Sequence, residues 1–219
     1  MILNNIENCF IGSANAEKIY LGSNEIWANF PSTLEKVEYL ESNGNQWIIT
    51  PMIFNDTYSY EVEAEFSNYS LFGTAKRDDL CFEATGGYYR VYRNQYDYYN
   101  TQIAAGTRAK FSCDKADNSI KVETYMQLDT FTFSIMPHNS IYPFSLFATW
   151  STYYNSLWEK GTGKIYGARF KSTNSNGVIT QEANYIPARR RADNVGGFWD
   201  TVSKTFLPNE GTQPFIFPT

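Results

Sequence analysis

The nine residues "YSYEVEAEF", 58 to 66, constrain this chain more than any other stretch. Tyr58, Tyr60, Val62, Ala64 and Phe66 alternate with Ser59, Glu61, Glu63 and Glu65. A period of two puts every apolar side chain on one side of a strand and every carboxylate on the other. Such a strand belongs to a sheet with one face on a core and one in water. "TRAKFSCDK" repeats the pattern, with Thr107, Ala109, Phe111 and Cys113 inward and Arg108, Lys110, Ser112 and Asp114 outward. "DKADN" is a turn, and "SIKVET" returns with Ile120 and Val122 inward, making a hairpin. "SLFGTA" and "SLFATW" suit central strands, while "GKIYGARFKS", "GVITQEANYI" and "VGGFWD" supply further strands between "TNSNG" and "PARRRADN". No helical periodicity runs longer than about two turns. About a dozen short strands in one unit predict a sandwich or a barrel. Tyr60, Val62, Ala64, Phe66, Phe111 and Ile120 are the expected core.

Composition agrees. Aromatic residues make up 17% of 219, and such side chains favour half-buried pleated surfaces. A net charge of −5 lacks the basic footprint of a nucleic-acid binder. No run approaches the ~18 apolar residues of a membrane span, and "MILNNIENCF" does not read as a signal peptide. Cys9, Cys81 and Cys113 stand at unrelated spacings, as in a chain made in a reducing cytosol. With His138 as the one histidine and no cysteine pair, neither a metal site nor a cofactor is expected.

The first thirty residues read separately. "FIGSANAEKI" is followed by "YLGSNEIWAN", an aromatic-aliphatic-Gly-Ser unit recurring at Phe10 and Tyr20. Each unit signals a tight hairpin. Two such hairpins bury little alone, yet the segment carries Ile2, Leu3, Ile6, Phe10, Ile19, Tyr20, Leu21, Ile26 and Trp27. Residues 1–30 are therefore expected to contact another chain, with Phe10, Ile19, Tyr20, Leu21, Ile26 and Trp27 as the assembly surface. "NFPST" is a linker, and residues 34–219 form the main domain.

Six pieces of the main domain occur in a recognisable order. "LEKVEYLESNGNQWIIT" resembles a segment of tailed-phage and prophage virion proteins, and "SLFGTA", "AKFSCDKADNSIKV", "PFSLFATW", "GKIYGARFKSTNSNGVITQEANYIPARR" and "VGGFWDTVSKTFLPNEGTQPF" follow as they do there. "KIYLGSNEIW" is similar to short anchoring modules found ahead of such domains. The resemblance implies a two-sheet antiparallel jelly-roll sandwich of the concanavalin-A-like or laminin-G-like type. It also implies a structural virion component that contacts other virion proteins and copies of itself, without catalysis. The chain departs from the pattern at Ile49-Thr50-Pro51, where the family has an acidic residue.

Several groups could carry chemistry. Glu61, Glu63 and Glu65 lie roughly 6–7 Å apart along one strand face, within reach of a two-carboxylate glycosidase mechanism. Nothing in the alternation differentiates their environments, and a solvated face is the simpler reading. Asp78, Asp79, Asp114, Asp117 and Asn118 could offer oxygens to calcium but are ordinary turn residues. The arginines of "ARRRAD" are expected to pair with the glutamate strand or to pack their stems. "GGYYRVYRNQYDYYN" places Tyr89 and Val91 on one face and Tyr88, Arg90 and Tyr92 on the other, with "RNQYD" as the turn. Tyr96, Tyr98 and Tyr99 with Arg93, and a second set of Trp150, Tyr153 and Tyr154, are the candidate surface for host glycan or a protein partner. The expected function is thus a phage virion protein displaying a lectin-like sandwich. A bacterial cell-surface carbohydrate-binding module is the rival, and a glycosidase the more distant one.

Overall fold

A computed structural model describes residues 10–218, apart from residues 12–13, 16–17, 22–23, 29, 54–56, 77–80, 95–96, 133–140, 152–153 and 155. The side chains of residues 10–11, 14–15, 18–21, 24–28, 70, 75–76, 93–94 and 97 are outside the description.

Near the N-terminus, β1 (Phe10–Ile11) pairs with β2 (Ala14–Asn15), and β3 (Lys18–Leu21) with β4 (Asn24–Ala28). The main domain begins with β5 (Leu34–Lys36), β6 (Leu40–Asn43), β7 (Ile48–Ile49) and the long β8 (Thr57–Gly73). Next come β9 (Ala75–Lys76), β10 (Cys81–Thr85), β11 (Tyr88–Asn94) and β12 (Asp97–Ala104). The chain then forms β13 (Ala109–Asp114), β14 (Ser119–Glu123), β15 (Leu128–Thr132), β16 (Ser145–Leu146) and β17 (Ala148–Ser151). It ends with β18 (Ser156–Lys160), β19 (Thr162–Thr173), β20 (Ile179–Arg190), β21 (Gly196–Asp200) and β22 (Thr205–Pro208).

Fifteen of these strands join one antiparallel sheet that folds on itself, as in a β-sandwich or jelly roll. β8 is the shared corner. Its residues 57–68 pair with β19 and residues 59–64 with β13, and these lie in the front leaf, ordered β15-β14-β13-β8-β19-β20-β21-β22. Past residue 68 it pairs with β10 and β16 in the back leaf, β12-β11-β10-β8-β16-β7. The bend has a local cause. The ladder with β19 slips opposite Gly163, Tyr69 takes a left-handed φ of 58°, and the ladder with β10 slips between Phe82 and Glu83. Two irregularities flanking a left-handed residue turn a strand sharply. Gly163 is required at the first slip, because a Cβ there would sit 2.6 Å from the Phe66 Cα.

The alternation of "YSYEVEAEF" is realised in full. Tyr58, Tyr60, Val62, Ala64 and Phe66 are buried, as are Phe111, Cys113, Ile120 and Val122. They meet Phe72, Phe82, Tyr89 and Val91 of the back leaf in one core, with Phe82 and Phe111 ring centroids 5.3 Å apart. Burying each of these phenylalanines contributes roughly 1.5–3 kcal/mol. Burial also pushes the Cys113 thiol well up, so it stays a neutral, inert filler.

The first and last segments of the main domain hold each other. Gln46 is 1% exposed; its Oε1 accepts from the Asn43 amide at 2.9 Å, and its Nε2 donates to the Pro214 carbonyl at 2.8 Å. The Thr212 amide donates to Asn45, the Glu210 amide to Trp47, and the Ile216 amide to Glu41. Gly211 passes so close to Asn45 and Gln46 that a Cβ would collide with their backbone. At the opposite seam, Tyr99 of β12 stacks on Phe131 of β15 at 5.2 Å, and the Gln102 amide donates to Asp129 at 2.7 Å. These contacts join the outer strands of the two leaves and nearly close the barrel.

Candidate functional site

The tyrosine-rich stretch forms β11 and β12, and the register sorts its rings. Tyr89 and Val91 enter the core; the Tyr89 hydroxyl donates to the Thr107 carbonyl, and burial raises its phenol to about 12. Tyr88, Arg90 and Tyr92 take the outer face, as the alternation predicts. Tyr98 pairs with Tyr92 and shares that outer face, whereas Tyr99 pairs with the core residue Val91. The expected grouping of Tyr98 with Tyr99 therefore needs correction: adjacent strand residues point to opposite sides, and Tyr99 belongs to the closing seam. Tyr96 lies outside the described residues, and for Arg93 only the backbone is described.

On the outer face Arg90 organises its neighbours. Its Nε donates to Asn100 Oδ1 at 2.7 Å, and its Nη1 donates to the Tyr92 hydroxyl at 3.0 Å. The guanidinium carbon lies 4.5 Å from the Tyr98 ring centroid. Glu83 stands in register with Arg90 on the neighbouring strand, only 8% exposed. Burial raises the Tyr92 phenol, and the hydrogen bond from Arg90 opposes that rise. Arg90, Glu83 and Asn100 were missing from the sequence-based candidates, although Arg90 sits in the same alternating row as Tyr88 and Tyr92.

The second aromatic set splits as well. Trp150 is half-buried and stacks on Tyr142 at 5.7 Å. Tyr154 is exposed and stacks on Trp158 at 4.3 Å with an interplanar angle of 17°. Tyr153 lies outside the described residues. Trp150 is in register with Ala75, just past the end of β8, while Tyr98 and Tyr92 share a row with Cys81 and Gly73. Both sets thus occupy the end of the sandwich where β8 finishes, with Tyr98 three strand spacings, roughly 14 Å, from Gly73.

A different surface offers a cavity. Across the outer face of the front leaf runs a polar groove of about 910 Å³. Register lays its floor in two rows over five strands: Lys121, Ser112, Glu61, Arg169 and Asn184, then Ser119, Asp114, Ser59, Lys171 and Glu182. Five strands span roughly 19 Å. Thr201 and Val202 form one rim. Lys121, Arg169 and Lys171 are exposed in the groove, and none is ion-paired among the described residues.

Beyond the groove the same face is internally neutralised. Lys110 lies 3.7 Å from Glu61 and 3.3 Å from Glu123, and these carboxylates, Glu61 first, raise its ammonium. Arg108 holds Glu63 at 2.7 Å, and Lys164 holds Glu65 at 3.5 Å. The Tyr166 hydroxyl donates to Glu65 at 3.1 Å; burial first and Glu65 second raise it to about 12. Each carboxylate of the strand thus has a basic partner. The arginine run has other partners than expected. Arg189 and Arg191 pair with Glu35, and Arg190 with Asp193, because β20 lies beside β5 rather than beside the glutamates there. The guanidinium groups also lie over rings, Arg189 5.5 Å from the Phe217 centroid and Arg190 5.8 Å from that of Phe206. Asp114 accepts the Ala116 amide in an ordinary turn, Asn118 is a left-handed turn residue, and Asp78, Asp79 and His138 lie outside the described residues. Among the described residues no three His, Cys, Asp or Glu side chains gather as metal ligands, and no helix is long and apolar enough to cross a membrane.

No known family profile matches the chain, and no curated protein matches it. Among solved structures, its fold is similar to that of a Bacteroides ovatus protein provisionally described as carbohydrate binding. The TM-score is 0.54 at 12% identity, over 84% of this chain and 60% of that one. The chain therefore spans less than two thirds of that protein, and the likeness concerns the fold.

Proposed function

We propose that the main domain is a non-catalytic, lectin-like carbohydrate-binding module on a concanavalin-A-like or laminin-G-like sandwich. The observation that carries this reading is the front-leaf groove, about 910 Å³ and floored by polar side chains from five strands. A groove open along its length accepts a chain, and alternating donors and acceptors suit hydroxyl-rich rings. Lys121, Arg169 and Lys171, which have no ion-pair partner among the described residues, favour glycans bearing carboxylate or sulfate groups. The described fold of the B. ovatus protein supports the same reading. The ion pairs on Glu61, Glu63 and Glu65 support a binding role over a hydrolytic one, since a glycosidase needs one carboxyl set apart from the other.

Two settings fit such a module. The fold likeness supports a bacterial cell-surface carbohydrate-binding module. The ordered motifs and the N-terminal repeat support a structural component of a tailed-phage virion, with host-surface polysaccharide as ligand and residues 1–30 docking it to virion proteins or to further copies of itself. Affinity electrophoresis of the full chain through alginate, polygalacturonate, heparin, dextran and mannan tests the binding. Retardation by an acidic polymer that is lost in the Arg169→Gln/Lys171→Gln variant is the expected result; unretarded migration in all five rejects the reading. Deleting residues 1–30 should leave glycan binding intact and abolish incorporation into particles, and an incorporated truncation rejects the anchoring role.

A further inference from the structure

We infer that the outer face of the back leaf carries a second site, which takes a short neutral pyranoside chain. The inference rests on the lectin-like reading above. Six residues build it: Tyr88, Arg90 and Tyr92 on β11, Tyr98 and Asn100 on β12, and Glu83 on β10. Register aligns Glu83, Arg90 and Asn100 in one row across three strands, with Tyr92 and Tyr98 in the row beside it.

Three features separate this face from the groove. The first is preorganisation: Asn100, the Tyr92 hydroxyl and the Tyr98 ring already fix the guanidinium, so no rotamer freedom is left to lose on binding. The second is charge. Glu83 stands beside Arg90, so an anion finds a balanced pair here, whereas the groove offers cations with no ion-pair partner among the described residues. The third is the mixture of surfaces. Tyr88 and Tyr98 are 48% and 46% exposed, presenting ring area, while the Asn100 amide and the phenol hydroxyls both donate and accept. A neutral pyranose has the complementary character, with an apolar CH face and hydroxyls around its rim. Along β11, Tyr88 lies four residues, roughly 13 Å, from the row in which the buried Tyr92 pairs with the exposed Tyr98, which is room for a chain and not for a single ring.

Affinity electrophoresis through the neutral polymers dextran, mannan and galactan tests the site, with alginate and polygalacturonate as acidic probes. Tyr98→Ala and Tyr88→Ala remove exposed rings, and thermal melts establish that each variant is folded. Each should weaken retardation by a neutral polymer about tenfold, a loss of stacking of about 1.4 kcal/mol. Arg169→Gln/Lys171→Gln should leave the neutral retardation unchanged and abolish the acidic one. Neutral retardation that survives both tyrosine variants but disappears in the groove variant overturns the second site and leaves the lectin reading standing. So does a wild-type chain retarded by acidic polymers alone, or a Tyr98-dependent capture of a protein with no neutral retardation. A chain that no polymer retards overturns both proposals together.

Discussion

Replacing Gln46 by alanine should destabilise the main domain far more than an ordinary polar-to-alanine change. The side chain is 1% exposed and serves backbone groups from both ends of the domain. Its Oε1 accepts from the Asn43 amide at 2.9 Å and the Asn45 amide at 3.3 Å, while its Nε2 donates to the Pro214 carbonyl at 2.8 Å. Alanine leaves these three backbone groups without their partner, at about 1 kcal/mol each, and removing the side-chain stem adds up to about 1 kcal/mol more. The expected cost is about 3–4 kcal/mol, or roughly 10 °C in Tm for a domain of this size. The Ser42→Ala comparison removes a hydroxyl that accepts the Gly44 amide at 3.0 Å and donates to the Gln46 carbonyl or Oε1 at 3.1 Å; it leaves the tie to Pro214 in place and should cost about half as much or less. Urea unfolding followed by tryptophan fluorescence measures both. Hydrogen exchange locates the damage, with the Thr212 and Ile216 amides losing protection first because they donate into this junction. A Gln46→Ala cost below about 1 kcal/mol, or unchanged protection at those amides, refutes the idea that Gln46 ties the C-terminal segment down.

Tyr99→Ala should open the seam between the outer strands of the two leaves, costing about 1–2 kcal/mol and speeding exchange at the Gln102 amide; a slow Gln102 amide in the variant rejects the seam. Gly211→Ala forces a Cβ onto the Asn45 carbonyl and should cost about 2–3 kcal/mol in the same urea assay, while a wild-type midpoint shows that the segment yields freely. The hydrogen bond from Arg189 holds the Glu35 carboxyl below its ordinary 4.5; desolvation opposes it, and the charges of Arg189 and Arg191 reinforce it. A depressed folded-state value means stability that is present above the unfolded value and lost as pH falls through the folded one. Glu35→Gln should therefore be less stable than wild type at pH 7, with the gap closing below about pH 4; a gap that stays constant down to pH 3 refutes the linkage.

The fold was readable where burial is one-sided. The alternation over residues 58–66, 107–114 and 120–122 identified the core because in those strands one face is dry and the other wet. The continuation of β8 beyond Phe66 was not readable, since Asn68 and the left-handed Tyr69 look like a turn and become a bend only once β19 and β10 pair on either side of it. The candidate sites were readable only in part for a related reason. Alternation predicts that Tyr88, Arg90 and Tyr92 share a face, but only the register of β12 reveals that Tyr98 joins them while Tyr99 turns to Phe131. The groove was hidden more deeply. Its floor brings Lys121, Glu61, Arg169 and Asn184 side by side from strands far apart in sequence, and no local pattern records which strands become neighbours. The arginine run shows the same limit, since its partner Glu35 is reached across 154 residues.

The shared corner strand also sets the order in which the chain can fold. β8 is synthesised early, yet its neighbours arrive late: Arg108 reaches Glu63 across 45 residues, and Tyr166 reaches Glu65 across 101. Closing loops of that length is slow, so the apolar row from Tyr58 to Phe66 spends the early life of the nascent chain uncovered. An exposed strand of alternating aromatic and aliphatic residues is a template for aggregation. Three like charges on its other face, Glu61, Glu63 and Glu65, oppose register-matched pairing of one nascent chain with the next until Arg108, Lys110 and Lys164 emerge to neutralise them. The carboxylates that invite comparison with a catalytic pair thus act earliest as gatekeepers, before the groove beside them exists.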